Sequence, residues 1–160
     1  MILRLATPDD REGLLALVEE MGTFWWGSVP GGKQGTAASV DAILGQSATC
    51  EALVAEDAQG RLVALATFAL LQVAPSPGGT LFMKDLFVSE RHRSDGLGQR
   101  MMSALARLAQ ERDCVRFDWT AETDNPRAIA LYNRLGAQTV TEKVYFRFTG
   151  DALAEMAGAA

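Results

Sequence analysis

Apolar positions change their period several times along the chain, and each change marks an element. Residues 2–6 form a short β run, followed by Thr7, Pro8 and Asp10: an N-cap, a proline at the first helical position and an acid three residues past the cap. Leu14, Leu17, Val18 and Met21 then recur at helical spacing, which predicts one amphipathic helix. From 22 to 35 the pattern is lost, and glycines and a proline surround Phe24, Trp25 and Trp26, which predicts an aromatic loop.

Residues 36–45 suit a short second helix. Residues 52–55 and 62–73 read as two strands of a hairpin joined by Asp57-Ala58-Gln59-Gly60, and a Pro/Gly turn at 75–79 leads into a strand over 81–88. Leu97, Met101, Leu105, Leu108 and Ala109 then define one face of a helix. Residues 115–119 read as a strand, 125–135 as a helix closed by Gly136, and 143–148 as a last strand. An antiparallel front half and a strand-helix-strand-helix-strand back half predict an α/β (α+β) fold with a mixed sheet and helices on its faces. No repeat or linker interrupts it, so a single domain is expected over 1–160, with an Ala-rich tail at 151–160.

Composition adds bounds rather than detail. With 160 residues, 48% apolar and 22% charged, the chain has the make-up of one globular unit with its own core. A formal charge of −5 and a pI near 4.9 argue against duplex nucleic acid as the main ligand and favour a cationic or neutral partner. Cys50 and Cys114 match neither a disulfide framework nor a zinc spacing, so no metal is expected. The first residues lack a signal-peptide core and the apolar run at 62–74 is too short to span a bilayer, which predicts a soluble cytoplasmic protein without membrane contact.

Against the acidic background, Arg91, His92, Arg93 and Arg100 crowd around one turn, Arg93-Ser94-Asp95-Gly96-Leu97-Gly98. A strand that empties through a glycine-bearing turn into a helix points several N–H groups and the positive end of the helix dipole at one spot, which suits a phosphate. No Gly-Lys-Ser/Thr follows, so the turn is not a P-loop. No third glycine stands at the helix-packing position, so it is not a dinucleotide fingerprint either.

Residues 88–98, with Arg93-x-x-Gly96-x-Gly98, resemble the pyrophosphate-binding motif of the GNAT superfamily of acyl-CoA-dependent N-acetyltransferases. Residues 125–137, Asn125-Pro126-Arg127-Ala128-Ile129-Ala130-Leu131-Tyr132-Asn133-Arg134-Leu135-Gly136-Ala137, are similar to its second signature, and the likeness covers the chain up to Asp151. The resemblance implies a mostly antiparallel sheet of six to seven strands with about four helices. It also implies a V-shaped cleft between the parallel strands at 81–88 and 115–119, which admits the arm of acetyl-CoA. Leu86, Phe87 and Val88 would bind that arm through their backbone. The amides of Arg93, Ser94, Asp95, Gly96, Leu97, Gly98 and Gln99 would hold the pyrophosphate, and Asn125, Ala128, Tyr132 and Arg134 would complete the cofactor site. Ser94 stands where a glycine is common.

By spacing alone Asn125 suits a helix cap, with or without a ligand contact, and Tyr132 equally a core aromatic or a site residue; the resemblance adds a place for Asn125 near the CoA arm and for the Tyr132 phenol at the thioester. A phenol is suited to that place because it is protonated at neutral pH and can donate to a departing thiolate.

Lys84 and Asp85 interrupt an otherwise apolar strand, and burying either charge unpaired is costly, so at least one is expected to face the cleft. Within the superfamily, 85–88 and 119–132 resemble the diamine (spermidine/spermine-like) branch. A glutamate commonly precedes the aspartate there; Lys84 occupies its place and repels cations. Asp85 reads either as a group that orients the amine and draws off its proton or as a structural anchor. Trp25, Trp26, Lys84, Asp85 and Glu122 are the acceptor-side candidates, with Glu51 as a further acidic contact. His92, between two arginines, reads as solvated beside the phosphate.

The implied activity is transfer of the acetyl group of acetyl-CoA directly to a primary amine of a small molecule, with no nucleic acid partner and with a homodimer as the expected assembly. Acetylation of a protein or peptide amine, and a non-catalytic acyl-CoA-binding module, are the alternatives.

Overall fold

The structure, a computed structural model, describes residues 1–72, 78–93 and 95–158. Strands β1 (Ile2–Leu5), β2 (Glu51–Glu56), β3 (Leu62–Gln72), β4 (Gly79–Val88) and β5 (Cys114–Trp119) lie in that order in one sheet. The first four pair antiparallel and β5 runs parallel to β4. A parallel neighbour needs a crossover, and the helix α3 (Leu97–Glu111) supplies it.

Alternation along the strands sends side chains to two cores. Leu65 and Phe87 pack with Leu14, Leu17 and Met21 of α1 (Arg11–Trp26) and with Val40 of α2 (Gly32–Leu44). Ala64, Ala66, Phe68, Leu81 and Met83 face Leu97, Met101 and Leu105 of α3. Each fully buried Leu or Met there contributes about 1.5–3 kcal/mol of transfer free energy. The helix α4 (Pro126–Arg134) lies on the α3 side, where Tyr132 packs against the same core.

The first turn after β1 closes as the sequence implies. The Asp10 carboxylate accepts from the Thr7 N–H at 2.7 Å and takes both guanidinium nitrogens of Arg4 at 2.7 and 2.8 Å. That cation holds the Asp10 carboxyl down at about 2.

Several expectations change in three dimensions. The aromatic stretch is not a loop: α1 continues through Trp26, because Phe24 and Trp25 gain packing on Phe87, with ring centroids at 6.1 and 6.3 Å. The helix stops only at Gly27, whose φ of +72° favours glycine. The sheet has five strands among the described residues rather than six or seven, since residues 138–149 form no strand and the expected one at 143–148 pairs with no edge of its own chain. An extended segment becomes a strand only through a ladder partner. The Ala-rich tail is not featureless, because its Ala, Leu, Glu and Met residues favour a helix, α5 (Gly150–Gly158), and the described helices number five rather than about four. Most of the expected turn at 75–79 lies outside the described residues.

Candidate active site

The parallel pair β4–β5 is ladder-bonded only from Gly79 with Cys114 to Met83 with Trp119, while β4 continues to Val88. The two strands therefore part after Met83, and a wedge opens between them. At that point β4 carries a bulge: Thr67 of β3 pairs with Asp85 and Phe68 with Met83, so Lys84 has no partner across the ladder. The bulge turns the Lys84 side chain out to solvent and leaves Asp85 half-buried, with its carboxylate accepting the Thr67 hydroxyl proton.

Beyond the bulge, the Ser89 N–H donates to the Val63 carbonyl at 2.9 Å. The two-residue alternation of an antiparallel ladder then commits the backbone of Phe87 to Leu65 and points the backbone groups of Leu86 and Val88 at the wedge. Phe87 belongs to the core through its ring, and its backbone belongs to the sheet. The Val88 carbonyl already accepts from Arg93 Nε at 2.9 Å, which leaves the Val88 N–H as its free group.

That contact also decides what Arg93 does. Its guanidinium lies 3.9 Å from the centroid of Phe24, so the side chain ties the turn to the end of α1 rather than projecting toward a phosphate. Ser94 lies outside the described residues. Asp95 and Gly96 are exposed, and Gly96 takes φ +70° as the residue before α3. Among the described residues the Arg100 N–H is the first to find an acceptor, Gly96 O at 3.1 Å, and the amides of Leu97, Gly98 and Gln99 have none there at the helix start. Gly98 has a packing role as well: a Cβ there would sit 3.3 Å from Leu131 Cδ2, so its absence lets α4 approach the turn. His92 is not a fully solvated group, since its Nδ1 is shielded without a hydrogen-bond partner among the described residues.

α4 begins at Asn125, whose side chain accepts from the Ala128 N–H at 3.1 Å, with Pro126 at the first helical position. Capping thus occupies Asn125 Oδ1 and the Ala128 amide. Arg134 is exposed in the last turn. Tyr132 packs edge-on against Trp119, with centroids 5.1 Å apart, and Trp119 is the residue at which β5 leaves β4. Burial pushes the Tyr132 phenol above its ordinary value of 10.0. Asp85 on β4 and Tyr132 on α4, the latter through its contact with Trp119 at the end of β5, therefore both lie near the point where the strands part.

On the α1 side, Trp25 and Trp26 are exposed and stack edge to face at 5.6 Å. Glu122 is exposed on the approach to α4. Glu51 is committed elsewhere, as a bidentate partner of Arg112 at 3.0 Å to each nitrogen. Two neighbours of Asp85 were not visible in the motifs: Thr67, which only the β3–β4 register brings opposite, and Cys50, whose thiol is raised by burial and by the Asp85 charge. Among the described residues no group of three or more His, Cys, Asp or Glu side chains could hold a metal, and no helix is long and apolar enough to cross a membrane.

Comparison with known proteins agrees with this geometry. The chain is 33% identical over 84 residues to thialysine N-epsilon-acetyltransferase of Mus musculus, which takes in 51% of this chain and 49% of that protein. It is 32% identical over 83 residues to spermine/spermidine N(1)-acetyltransferase of Bacillus subtilis, covering 50% of this chain and 55% of that one. The chain thus spans about half the length of the curated relatives it matches. An integron cassette protein from the mobile metagenome of V. cholerae superposes with a TM-score of 0.89 at 29% identity, over 98% of this chain and 96% of that one. With residues 18–137, from the middle of α1 past the end of α4, matching the model of the acetyltransferase (GNAT) family, the chain belongs to that family.

Proposed function

We propose that the protein is an acetyl-CoA-dependent N-acetyltransferase that passes the acetyl group directly to a primary amine of a small molecule. The observation that carries this reading is the wedge after Met83 and Trp119, with free backbone groups of Leu86 and Val88 on one wall and Asp85 and Tyr132 at its mouth.

In this reading the pantetheine arm lies along β4 and bonds to Leu86 and Val88 as an added strand would. The pyrophosphate rests on the amides of Leu97, Gly98 and Gln99 with those of Asp95 and Gly96 before them; the Arg93 amide expected to join them is instead committed to the Glu90 carbonyl at 3.2 Å. Ala128, Asn125 and Arg134 border the cofactor from α4. The neutral amine attacks the thioester carbonyl, and its proton leaves through Asp85 or a water that Asp85 holds. The tetrahedral intermediate then collapses, the C–S bond breaks, and the Tyr132 phenol donates to the departing sulfur. Because burial raises that phenol, it keeps its proton throughout the neutral range.

Trp25, Trp26, Lys84 and Glu122 form the acceptor side. The relatives named for thialysine and for spermine/spermidine point to a small amine as acceptor. Lys84 disfavours a polycation there, so the second group of the acceptor is neutral or anionic. The protein works as one domain, as a homodimer and in the cytoplasm.

Release of free thiol from acetyl-CoA, measured over a panel of amino acids, diamines, polyamines and aminoglycosides, tests the proposal. Turnover with at least one small amine is expected. Heat of acetyl-CoA binding without turnover on any acceptor would instead indicate a binding module, and absence of both would remove the assignment.

A further inference from the structure

The bulge in β4 does more than free Lys84 from the ladder; it changes the face on which that residue lies. In a regular strand successive side chains point to opposite faces, so the sheet would separate Lys84 from Asp85. The flanking pairs give a different count. Phe68 and its partner Met83 belong to the core under α3, whereas Leu65 and its partner Phe87 belong to the core under α1 and α2. Two residues back from Phe87, Asp85 is on the α1 face; one residue on from Met83, Lys84 is on that face too. Met83 and Asp85, two apart, fall on opposite faces only because the bulge inserts Lys84 between them.

An ammonium and a carboxylate thus stand side by side on one face of β4. Asp85 is half-buried and held by the Thr67 hydroxyl, while Lys84 is exposed and makes no ion pair among the described residues. Trp25 belongs to the same face: its ring centroid lies 6.3 Å from that of Phe87, and its exposed surface offers an apolar wall beside the two charges. Four residues separate Lys84 from Val88 at the end of β4, so at about 3.3 Å per residue the glycine turn is roughly 13 Å further on. With the pantetheine arm laid along β4 as proposed, the ammonium is stationed at the acetyl end of the cleft and not at the diphosphate. A net charge of −5 disfavours a dianion, which leaves a monoanion as the complement of one exposed ammonium.

We propose that Lys84 is a specificity-determining residue that reads a carboxylate on the acceptor: the substrate is an amino acid, with its amine at Asp85, its methylene stem along Trp25 and its carboxylate at Lys84. The inference rests on the acetyltransferase reading and narrows the acceptor from small amines to amines that carry their own carboxylate. A diamine of the same length places a second cation at Lys84 and is disfavoured by like charge, so the residue selects in both directions.

Thiol release from acetyl-CoA with the straight-chain amino acids from glycine to 6-aminohexanoate, their amides and diamines of matching length tests the assignment. The unaltered chain should show kcat/KM for its best amino acid at least about five-fold above that for the corresponding amide, the size of one well-placed exposed ion pair. Lys84→Glu turns attraction into repulsion for the acid and repulsion into attraction for the diamine, so the ratio of kcat/KM for amino acid over diamine should fall at least about ten-fold. Lys84→Met should bring the ratio part of the way, and Lys84→Arg should keep the original order. The residue is exposed, so the fold should stand in all three, and the comparison of acid with amide needs no variant. Equal rates for acid and amide, or a ratio indifferent to the charge at position 84, overturn the inference and leave the acetyltransferase reading in place. So does turnover confined to amines without a carboxylate, or a Lys84→Glu variant that loses acetyl-CoA affinity by calorimetry while its acceptor ratio holds. No thiol release with any acceptor removes the acetyltransferase reading and this inference with it.

Discussion

Thr67 on β3 donates its hydroxyl proton to Asp85 on β4, across the bulge that leaves Lys84 without a cross-strand partner. The bulge reorients the acidic residue, and the hydroxyl fixes its carboxylate at the mouth of the cleft. Thr67→Val keeps the shape and removes the donor, so kcat/KM should fall about ten-fold, the size of one hydrogen bond to a charged group. Thr67→Ser should restore most of the loss and the pH profile with it. If Val costs nothing, or Ser costs as much as Val, the hydroxyl only shapes the sheet.

Tyr132→Phe should lower kcat by about ten- to a thousand-fold with little change in acetyl-CoA affinity if, as proposed, the phenol acts on the leaving sulfur and not on the nucleotide. Its raised ionisation also fixes a sign. In the proposed mechanism the protonated phenol is the active form, so any alkaline limb of kcat that belongs to Tyr132 should lie above the ordinary tyrosine range. Unaltered turnover in the Phe variant removes the residue from the mechanism.

Gly96 and Gly98 should fail differently. Gly96→Ala meets no neighbour within 4 Å but must adopt φ +70°, so stability should drop by about 1 kcal/mol and acetyl-CoA should bind more weakly as the amides tilt. Gly98→Ala brings a methyl to 3.3 Å from Leu131 Cδ2. Its effect should appear in kcat as well as binding, since the displaced helix carries Tyr132. Calorimetric titration with acetyl-CoA and steady-state rates on both variants separate the two.

Asp10, held at about 2 by Arg4 against 3.8 when unpaired, supports the fold in its ionised form. Its contribution of about 2 kcal/mol is complete above pH 4 and is lost as pH falls through 2. Asp10→Asn should therefore lower Tm at neutral pH and flatten the acid limb of stability between pH 4 and 2. An unchanged acid limb would assign that dependence to other carboxylates.

Much of the fold is legible without coordinates because its elements announce themselves locally. Leu14, Leu17, Val18 and Met21 repeat at helical spacing and are all buried, and Asn125 before Pro126 caps the helix that follows. The glycine turn before Leu97 is equally local, since a left-handed residue and free amides at a helix start depend on neighbours in the chain. The aromatic stretch misled because helix ends are set by what packs on them, and Phe24 and Trp25 find Phe87, distant in sequence, only after β4 is in place.

Sequence by itself determined most of the helices and strands and the glycine turn that suits a phosphate, though not the end of α1, the state of residues 143–148 or α5, because periodicity, caps and glycine turns are properties of adjacent residues. Only the tertiary structure decided that Lys84 is the bulged residue, that Asp85 meets Thr67, that Arg93 lies on Phe24, and that Gly98 makes room for Leu131. Each of those depends on register or on helix approach, which is fixed by long-range packing. The same holds for residues 143–148: their pattern is that of a strand, but a strand exists only where another edge accepts its hydrogen bonds.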